Sequence, residues 1–220
     1  MSKSTDLDGS WEAQSFFLPL VRGIIHIGAS VGQERELYAK HKLKVMWVEP
    51  IPKVFDSLCR NIAEFPDQKA VNRLVTDKDD APYMFHVASN NGESSSILEL
   101  AQHRDHRPDI SYVSHIMMKS TTLDTLLKTV DKAALLYDAL VVDTQGSELL
   151  VLKGATQNLR RFQFIKLEAW NFEAYVGCAR DIEIMDYLSL FGFKLVSGAQ
   201  IANFDKGRLV FDLLFQRVDP

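Results

Sequence analysis

Cysteine is scarce in this chain: its 220 residues contain only Cys59 and Cys178. Two cysteines cannot form a disulfide framework, and neither has a second cysteine at the spacing of a zinc or redox motif. The first ten residues carry charges of both signs and no apolar stretch follows them directly, so the sequence does not predict a secretory signal. We therefore expect a protein of a reducing compartment, most simply the cytoplasm.

Long apolar runs and an excess of positive charge are also missing. No run approaches the roughly 20 apolar residues that a membrane-spanning helix needs, so the sequence predicts no membrane span. The 25 Lys and Arg residues are outnumbered by 29 Asp and Glu residues, which gives a formal net charge of −4. Because such a chain offers no global basic field to a phosphate backbone, nucleic acid is not expected as the main partner.

What the sequence does have is a regular alternation of two patterns. Short β-branched runs predict strands, and charged stretches with apolar residues at helical spacing predict helices between them. This order is typical of an α/β domain with about seven mostly parallel strands and helices on both faces, closed by an antiparallel pair around the turn at 203–207. The predicted strands cover residues 23–27, 44–48, 70–75, 83–87, 139–142, 164–167, 193–196 and 209–215, and the predicted helices begin near Gly32, Pro52, Thr121, Ser147 and Ile182.

Length and composition favour a single domain over residues 23–220, because 220 residues are too few for two comfortable domains. Residues 1–22 precede the first predicted strand and form an arm or lid, whose Trp11, Phe16 and Phe17 either pack on the domain or contact a partner. The polar segment 97–118 is expected to be an insertion on the substrate side, since long loops often cover active sites.

The residues that follow the first two predicted strands suggest a nucleotide site. In an open parallel sheet, ligands bind beyond the carboxyl ends of the strands. Gly28 allows a tight turn after the first strand, and Gly32 lets the backbone approach a ligand before the helix begins. Glu49 ends the second strand, where a carboxylate can accept hydrogen bonds from ribose hydroxyls. The alternative is a tight strand-to-helix turn followed by a solvated glutamate.

Three more acids follow strands nearer the end of the chain. Asp143 follows the strand at 139–142, Glu148 begins the next helix, and Glu168 comes directly after the strand predicted at 164–167. Asp143 and Glu148 are candidate general bases, although an acid at the position of Glu148 also stabilises a helix N-terminus. Glu168 is a candidate for contact with the substrate.

Histidines and serines of the middle segment add weaker candidates. His103, His106 and His115 invite a metal hypothesis, but Pro108 interrupts the segment and the carboxylates are not at ligand spacing, so no metal site is predicted. His115 is a candidate base, because a neutral imidazole can accept a proton from a hydroxyl. Ser96, in a run of three serines, is a candidate for hydrogen bonding to the substrate.

Four segments together resemble the FkbM-type methyltransferase family, over residues 24–193. They are Ile27-Gly28-Ala29-Ser30-Val31-Gly32, Glu49-Pro50, Leu123-Asp124, and the block from Asp143 to Ala155, which is the most specific of the four. The resemblance implies a Rossmann-like class I methyltransferase fold that binds S-adenosylmethionine. It also implies methyl transfer, typically to a hydroxyl oxygen of a polyketide, sugar or glycan.

The same resemblance assigns roles to single residues. Gly28, Ser30 and Gly32 would line the methionine and ribose end of the cofactor, and Glu49 would hold the ribose hydroxyls. Asp143 would lie beside the transferring methyl group and the acceptor. Residues after the third strand would meet the adenine, and these are Thr76 and Asp77.

The chain departs from the family pattern at three positions, where the family usually has Asp for His26, Asn for Ser30 and Glu for Gln145. Gln145 keeps an acceptor oxygen for a substrate but cannot act as a base. This substitution motivates an alternative hypothesis, a non-catalytic module that binds a protein partner. A nicotinamide-dependent oxidoreductase fits less well, because only Gly28 and Gly32 of a G-x-G-x-x-G pattern are present. A homo-oligomer remains open.

Overall fold

The computed structural model describes residues 14–130, 136–204 and 207–218. Trp11 and the centre of the turn predicted at 203–207 lie outside these ranges. Within them the chain forms ten strands and six α-helices. The strands are β1 Gly23–Ile27, β2 Lys44–Val48, β3 Gln68–Val71, β4 Leu74–Val75, β5 Pro82–Ala88, β6 Tyr112–Thr121, β7 Ala139–Val142, β8 Phe164–Trp170, β9 Phe193–Phe204 and β10 Arg208–Arg217.

The helices lie between most of the strands, as the alternating pattern predicts. They are α1 Arg35–Lys40, α2 Pro52–Asn61, α3 His103–His106, α4 Leu123–Val130, α5 Glu148–Lys153 and α6 Asp181–Ser189, and two 3-10 helices cover Ser15–Leu20 and Leu159–Arg161.

Seven strands form the main sheet in the order β3-β2-β1-β7-β8-β10-β9. Strands β3, β2, β1, β7 and β8 are parallel, and β10 runs antiparallel to both of its neighbours. The α/β architecture with about seven mostly parallel strands and a closing antiparallel pair is therefore confirmed. In the register, Ile27 stands beside Val48 on one side and Val142 on the other, so β1, β2 and β7 end at the same level.

The two faces of this sheet are covered by separate apolar cores. Residues of α4, α5 and α6 pack on one face, and residues of α1 and α2 pack on the other. The 3-10 helix at Ser15–Leu20 joins the second core, where Phe17 and Leu18 are fully buried while Phe16 stays half exposed. The described part of the N-terminal arm is thus packed on the domain. Every residue of β1 and β7 is buried, as central strands covered on both faces must be.

A second sheet of three strands, in the order β4-β6-β5, was only partly predicted. The single strand expected at 70–75 is two strands, because the chain turns at Asn72, whose side-chain amide donates to the carbonyls of Glu49 and Pro50. The segment 97–118 is not simply a loop, since it contains α3 and most of β6. No helix in the described ranges combines the length and apolarity needed to cross a membrane.

Candidate functional site

A cavity of about 820 Å³ opens at the carboxyl ends of the main-sheet strands. Polar and apolar groups share its wall. The lining residues on or shortly after β1, β2, β7 and β8 are Gly28, Ser30, Gln33, Glu34, Glu49, Asp143, Thr144, Gln145, Ser147, Glu168 and Trp170. The other lining residues include Arg73, Leu74, Val75, Ser94, Ser95, His103, Arg107 and, from β9, Phe204.

The turn after β1 lies against the ends of both neighbouring strands, β2 and β7. Gly28 has a φ of +83°, and a Cβ placed on it would lie 1.7 Å from the carbonyl oxygen of Asp143. Only glycine fits here, because the conformation is left-handed and the space beside it is filled by backbone. Since Gly28 is next to the ends of both β2 and β7, Glu49 and Asp143 are held on either side of it.

Glu49 is buried in the wall of the cavity, with 4% of its surface exposed. Its Oε2 accepts the Ser30 backbone N–H at 2.9 Å, and its Oε1 accepts that of Ile51 at 2.8 Å. Burial raises the pKa of Glu49 to about 7, against these two hydrogen bonds, which favour the charged form. The carboxyl group is therefore fixed in position and is only partly ionised near neutral pH.

The loop after β7 gathers two carboxylates around one amide. Gln145 Nε2 donates to Asp143 Oδ1 at 2.8 Å and to Glu168 Oε1 at 3.1 Å. Its Oε1 accepts the hydroxyl of Tyr175 at 2.6 Å, and its backbone carbonyl accepts the hydroxyl of Ser96 at 2.8 Å. All three polar atoms named in this loop residue are therefore used within the site.

Glu168 lies inside a strand and not after one, because β8 continues to Trp170. It faces the cavity and stands opposite Asp212 of β10 in the register. Burial, reinforced by the negative charge of Asp143, raises the pKa of Glu168 well above its usual value. Lys166, two residues earlier, forms a buried ion pair with Asp212 at 2.8 Å. A buried cation, the Lys166 ammonium group, therefore lies close to the acids at this edge of the sheet.

Glu148, a candidate base, is turned into its own loop. Its Oε1 accepts the N–H and the hydroxyl of Thr144 at 2.9 and 3.2 Å, and its Oε2 accepts the N–H of Gly146 at 3.0 Å. The side chain is buried and is not among the residues that line the cavity. Glu148 therefore shapes the loop that carries Gln145, and the geometry does not support a role as a base.

Gly32 and the proposed adenine residues also lie off the cavity wall. A Cβ on Gly32 would lie 2.8 Å from Leu58 Cδ1, so this glycine admits a side chain of α2 and not a ligand. Thr76 is fully buried, and a Cβ on Gly154 would lie 2.0 Å from its carbonyl oxygen. Gly154, directly after α5, thus packs against the backbone of Thr76 and Asp77. Residues 73–75 line the cavity in their place.

His115 lies on the second sheet, outside the cavity lining. It is exposed, and its Nδ1 lies 2.9 Å from Nδ1 of His86, the residue opposite in the register. The geometry does not bring it to the acids, so its role as base is not supported. Within the described ranges no group of three or more His, Cys, Asp or Glu side chains could hold a metal ion.

Ser96 does not line the cavity, although its neighbours Ser94 and Ser95 do. Its hydroxyl is used by the Gln145 carbonyl, so it positions the loop instead of facing the substrate. Sequence reasoning missed Gln33 and Glu34, which directly follow the turn at Gly28 to Gly32. A signal was available there, because the first residues of a helix after such a turn point to the same edge of the sheet.

Comparison with known proteins bears on both the family and the fold of this chain. The family model "Methyltransferase FkbM domain" matches residues 26–195 of this chain. No curated protein matches the chain in sequence.

Solved methyltransferase structures share the fold at low sequence identity. The METTL16 MTase domain is 12% identical with a TM-score of 0.53, over 95% of this chain and 67% of that one. A SAM-dependent methyltransferase from Aquifex aeolicus is 10% identical with a TM-score of 0.50, over 95% and 90%. The methyltransferase domain of bacterial CtHen1-CN is 12% identical with a TM-score of 0.50, over 93% and 94%. The architecture is the class I methyltransferase fold that the sequence predicted, and the family match supports S-adenosylmethionine as the cofactor.

Proposed function

Because the chain belongs to the FkbM methyltransferase family, we propose that it transfers the methyl group of S-adenosylmethionine to a hydroxyl oxygen of a small molecule, sugar or glycan. One observation carries this proposal: Glu49 and Asp143 flank the Gly28 turn on the wall of a single cavity. The family match gives no support to the nicotinamide-dependent alternative.

The residues of the cavity fit the cofactor. Gly28 lines the cavity and presents only backbone there, because it has no side chain. The fixed carboxyl group of Glu49 would accept hydrogen bonds from the two ribose hydroxyls. The segment 73–75 would contact the adenine, and Glu34, which lines the same cavity, would pair with the amino group of the methionine part.

When bound, the cofactor would supply a methyl group on a positively charged sulfur. The acceptor oxygen would attack the methyl carbon, and the electron pair of the broken S–CH3 bond would remain on sulfur. The protein holds the acceptor in line with that methyl, and such orientation is worth roughly 7 to 11 kcal/mol of barrier. The acceptor hydroxyl also has to lose its proton, and a positioned base adds about 10² to 10⁴-fold. Asp143 and Glu168 are the acids of the cavity wall that we assign to this task.

A small polar acceptor suits the remaining part of the cavity. Trp170 and Phe204 offer flat apolar surface, while His103 and Arg107 add polar groups to the lining. The cavity carries Glu34, Glu49, Asp143 and Glu168, and the chain has a net charge of −4. Such a field disfavours a phosphate backbone as the acceptor.

Calorimetry with S-adenosylhomocysteine tests the proposal. We expect binding by the unaltered protein and at least a tenfold weaker affinity for Glu49→Ala, because the ribose hydroxyls lose their acceptor. Glu93→Ala is the matched control, since Glu93 lines the same cavity but is exposed, and its affinity should change less than threefold. Absence of binding at millimolar S-adenosylhomocysteine to folded protein would refute the proposal.

The acceptor can be sought with S-adenosylmethionine labelled in its methyl group. Transfer to a component of a small-molecule or glycan extract, with label stable to the treatments that cleave methyl esters, supports a hydroxyl acceptor. Binding of the cofactor without transfer to any extract would favour the non-catalytic module that Gln145 suggested.

A further inference from the structure

Gln145, in the loop after β7, lies between two carboxylates at the edge of the cavity. One amide nitrogen lies within hydrogen-bond distance of two carboxylates, at 2.8 Å from Asp143 Oδ1 and 3.1 Å from Glu168 Oε1. A glutamate there would place a third carboxylate against these two. Like charges at such distances raise one another's pKa, so a third carboxylate would make it harder for all three to be ionised at once. The amide instead lets the two acids lie side by side.

Tyr175 fixes the direction of this amide. Its hydroxyl donates to Gln145 Oε1 at 2.6 Å, which leaves the amide nitrogen facing the acids. The ring of Tyr175 also packs on Gly146, where an added Cβ would lie 2.9 Å from it. The same loop is held from the other side by Ser96. Gln145 has a φ of +53°, in the left-handed region that non-glycine residues adopt only at an energetic cost. The contacts around the loop offset that cost.

We propose that Gln145 is a positioning residue of the methyl-transfer site, whose amide, oriented by Tyr175, holds Asp143 and Glu168 together and keeps them able to carry negative charge beside the reacting sulfur. This inference rests on the proposed function, which places Asp143 beside that sulfur. Gln145 itself neither accepts the proton nor contacts the methyl group in this scheme; it acts through the two acids.

The charge of the pair is set by several neighbours besides Gln145. Burial raises the pKa of Glu168, and the Gln145 hydrogen bond opposes that rise because it stabilises the ionised form. The other titratable groups that face the pair are Glu34, Glu49, Glu148, Lys166, Tyr175 and Asp212. Because Glu34 and Glu49 also titrate near neutral pH, the test compares variants and not a single curve.

Two cofactor analogues report the charge of the pair without any methyl transfer. Sinefungin has an ammonium group where S-adenosylmethionine has its sulfonium methyl, and S-adenosylhomocysteine is neutral at that place. We would measure the Kd of both by calorimetry from pH 5.5 to 8.5. The preference for sinefungin should rise with pH as the acids ionise, and the midpoint of that rise measures their shared proton affinity.

The variants separate positioning from a merely structural role. Gln145→Glu should move the midpoint to higher pH by about one unit, so that the preference below the midpoint falls roughly tenfold. Gln145→Met and Tyr175→Phe should move it in the same direction by less. Gln145→Met removes the hydrogen bonds to the ionised acids without adding a charge, and Tyr175→Phe removes the hydroxyl that orients the donor amide. Gln33→Glu is the matched control: it adds an acid to the same cavity but leaves the hydrogen bonds from Gln145 to the pair in place, and should shift the midpoint by less than half as much.

Each result decides the question. A common midpoint in all variants, with both analogues still bound, would overturn the inference and leave the proposed function standing. No binding of either analogue by the folded unaltered protein would overturn both. If Gln145→Glu does not fold, as circular dichroism would show, Gln145→Met and Tyr175→Phe give the same test with a smaller shift.

Discussion

The two sheets of this protein hold polar groups in opposite ways. The main sheet is covered on both faces, and its polar side chains gather where β1, β2, β7 and β8 approach the cavity. The three-stranded sheet packs one face on the domain and leaves Met84 and Met117, which are paired in the register, 51% and 65% exposed. Its histidine pair, His86 and His115, lies outside the cavity lining.

This difference shows why only the first set forms a site. Buried strands fix the backbone at the sheet edge, so acids from distant segments keep constant distances, and Glu49 also loses most of its contact with water. Both effects shift pKa values, as they do for Glu49 and Glu168. His115, by contrast, lies on an exposed face and remains in contact with solvent.

The largest expected effect is at the turn that joins the main-sheet strands. Gly28→Ala adds left-handed strain to an overlap with the Asp143 carbonyl oxygen, and should lower the free energy of unfolding by about 4 kcal/mol and abolish S-adenosylhomocysteine binding. Gly177→Ala is the control, because Gly177 has a φ of +73° with no atom within 4 Å of an added Cβ. Strain alone should cost it roughly 1 kcal/mol. Equal losses in denaturant unfolding would contradict this account.

The buried ion pair beneath the acids comes next. Lys166→Met leaves Asp212 buried without its cation, and should cost roughly 3 kcal/mol of unfolding free energy. Arg107→Met breaks a pair with Asp109 of similar length, 3.0 Å, but with side chains 39% and 64% exposed, and should cost less than about 1 kcal/mol. Chemical denaturation of both variants measures the difference between the two losses of unfolding free energy. Equal losses would mean that solvent reaches Lys166 as freely as it reaches Arg107.

A smaller effect concerns pH. Glu49 has its pKa raised to about 7 in the folded protein, so folding favours its protonated form, and its contribution to stability is lost as pH rises from the unfolded value towards 7. Glu49→Gln removes this titration, and should reduce the fall in unfolding free energy between pH 5 and 7 by roughly 2 kcal/mol.

Asp79 supplies a comparison of opposite sign. The pKa of this exposed acid is lowered by the Thr122 backbone N–H, so its contribution is lost as pH falls below its ordinary range. Asp79→Asn should therefore lower the free energy of unfolding at pH 7 and pH 5, and its difference from the unaltered protein should shrink towards pH 3. Denaturant curves at pH 3, 5 and 7 measure both effects. If the unfolding free energy of Glu49→Gln depends on pH as steeply as that of the unaltered protein, the raised pKa of Glu49 is contradicted.

The smallest effect is expected on the second sheet. His115→Asn should change the unfolding free energy by less than about 0.5 kcal/mol and leave S-adenosylhomocysteine affinity unchanged, because the side chain is exposed and lies outside the cavity lining. A clear loss of affinity by calorimetry would show that His115 contributes to the cofactor site, contrary to the proposed difference between the two sheets.

Several parts of the site could be found from the sequence because the signals were local. Glu49 and Asp143 directly follow short apolar runs, and strands end where such runs end. Gly28 could be placed by the same reasoning. Glu168 was placed one step wrong, after its strand and not within it, because Ala169 and Trp170 continue β8 through partners that only the antiparallel β10 supplies.

The amino-acid sequence by itself determined the α/β architecture, the family and the cofactor class, because these depend on periodicity and on motifs a few residues long. Only the tertiary structure decided the direction of each polar side chain. Glu148 turns into its loop, Ser96 serves the Gln145 carbonyl, and Gln145 reaches Glu168, 23 residues away along the chain. Such choices depend on which buried donors and acceptors meet across strands, and each buried polar group must be satisfied by whatever the fold brings beside it.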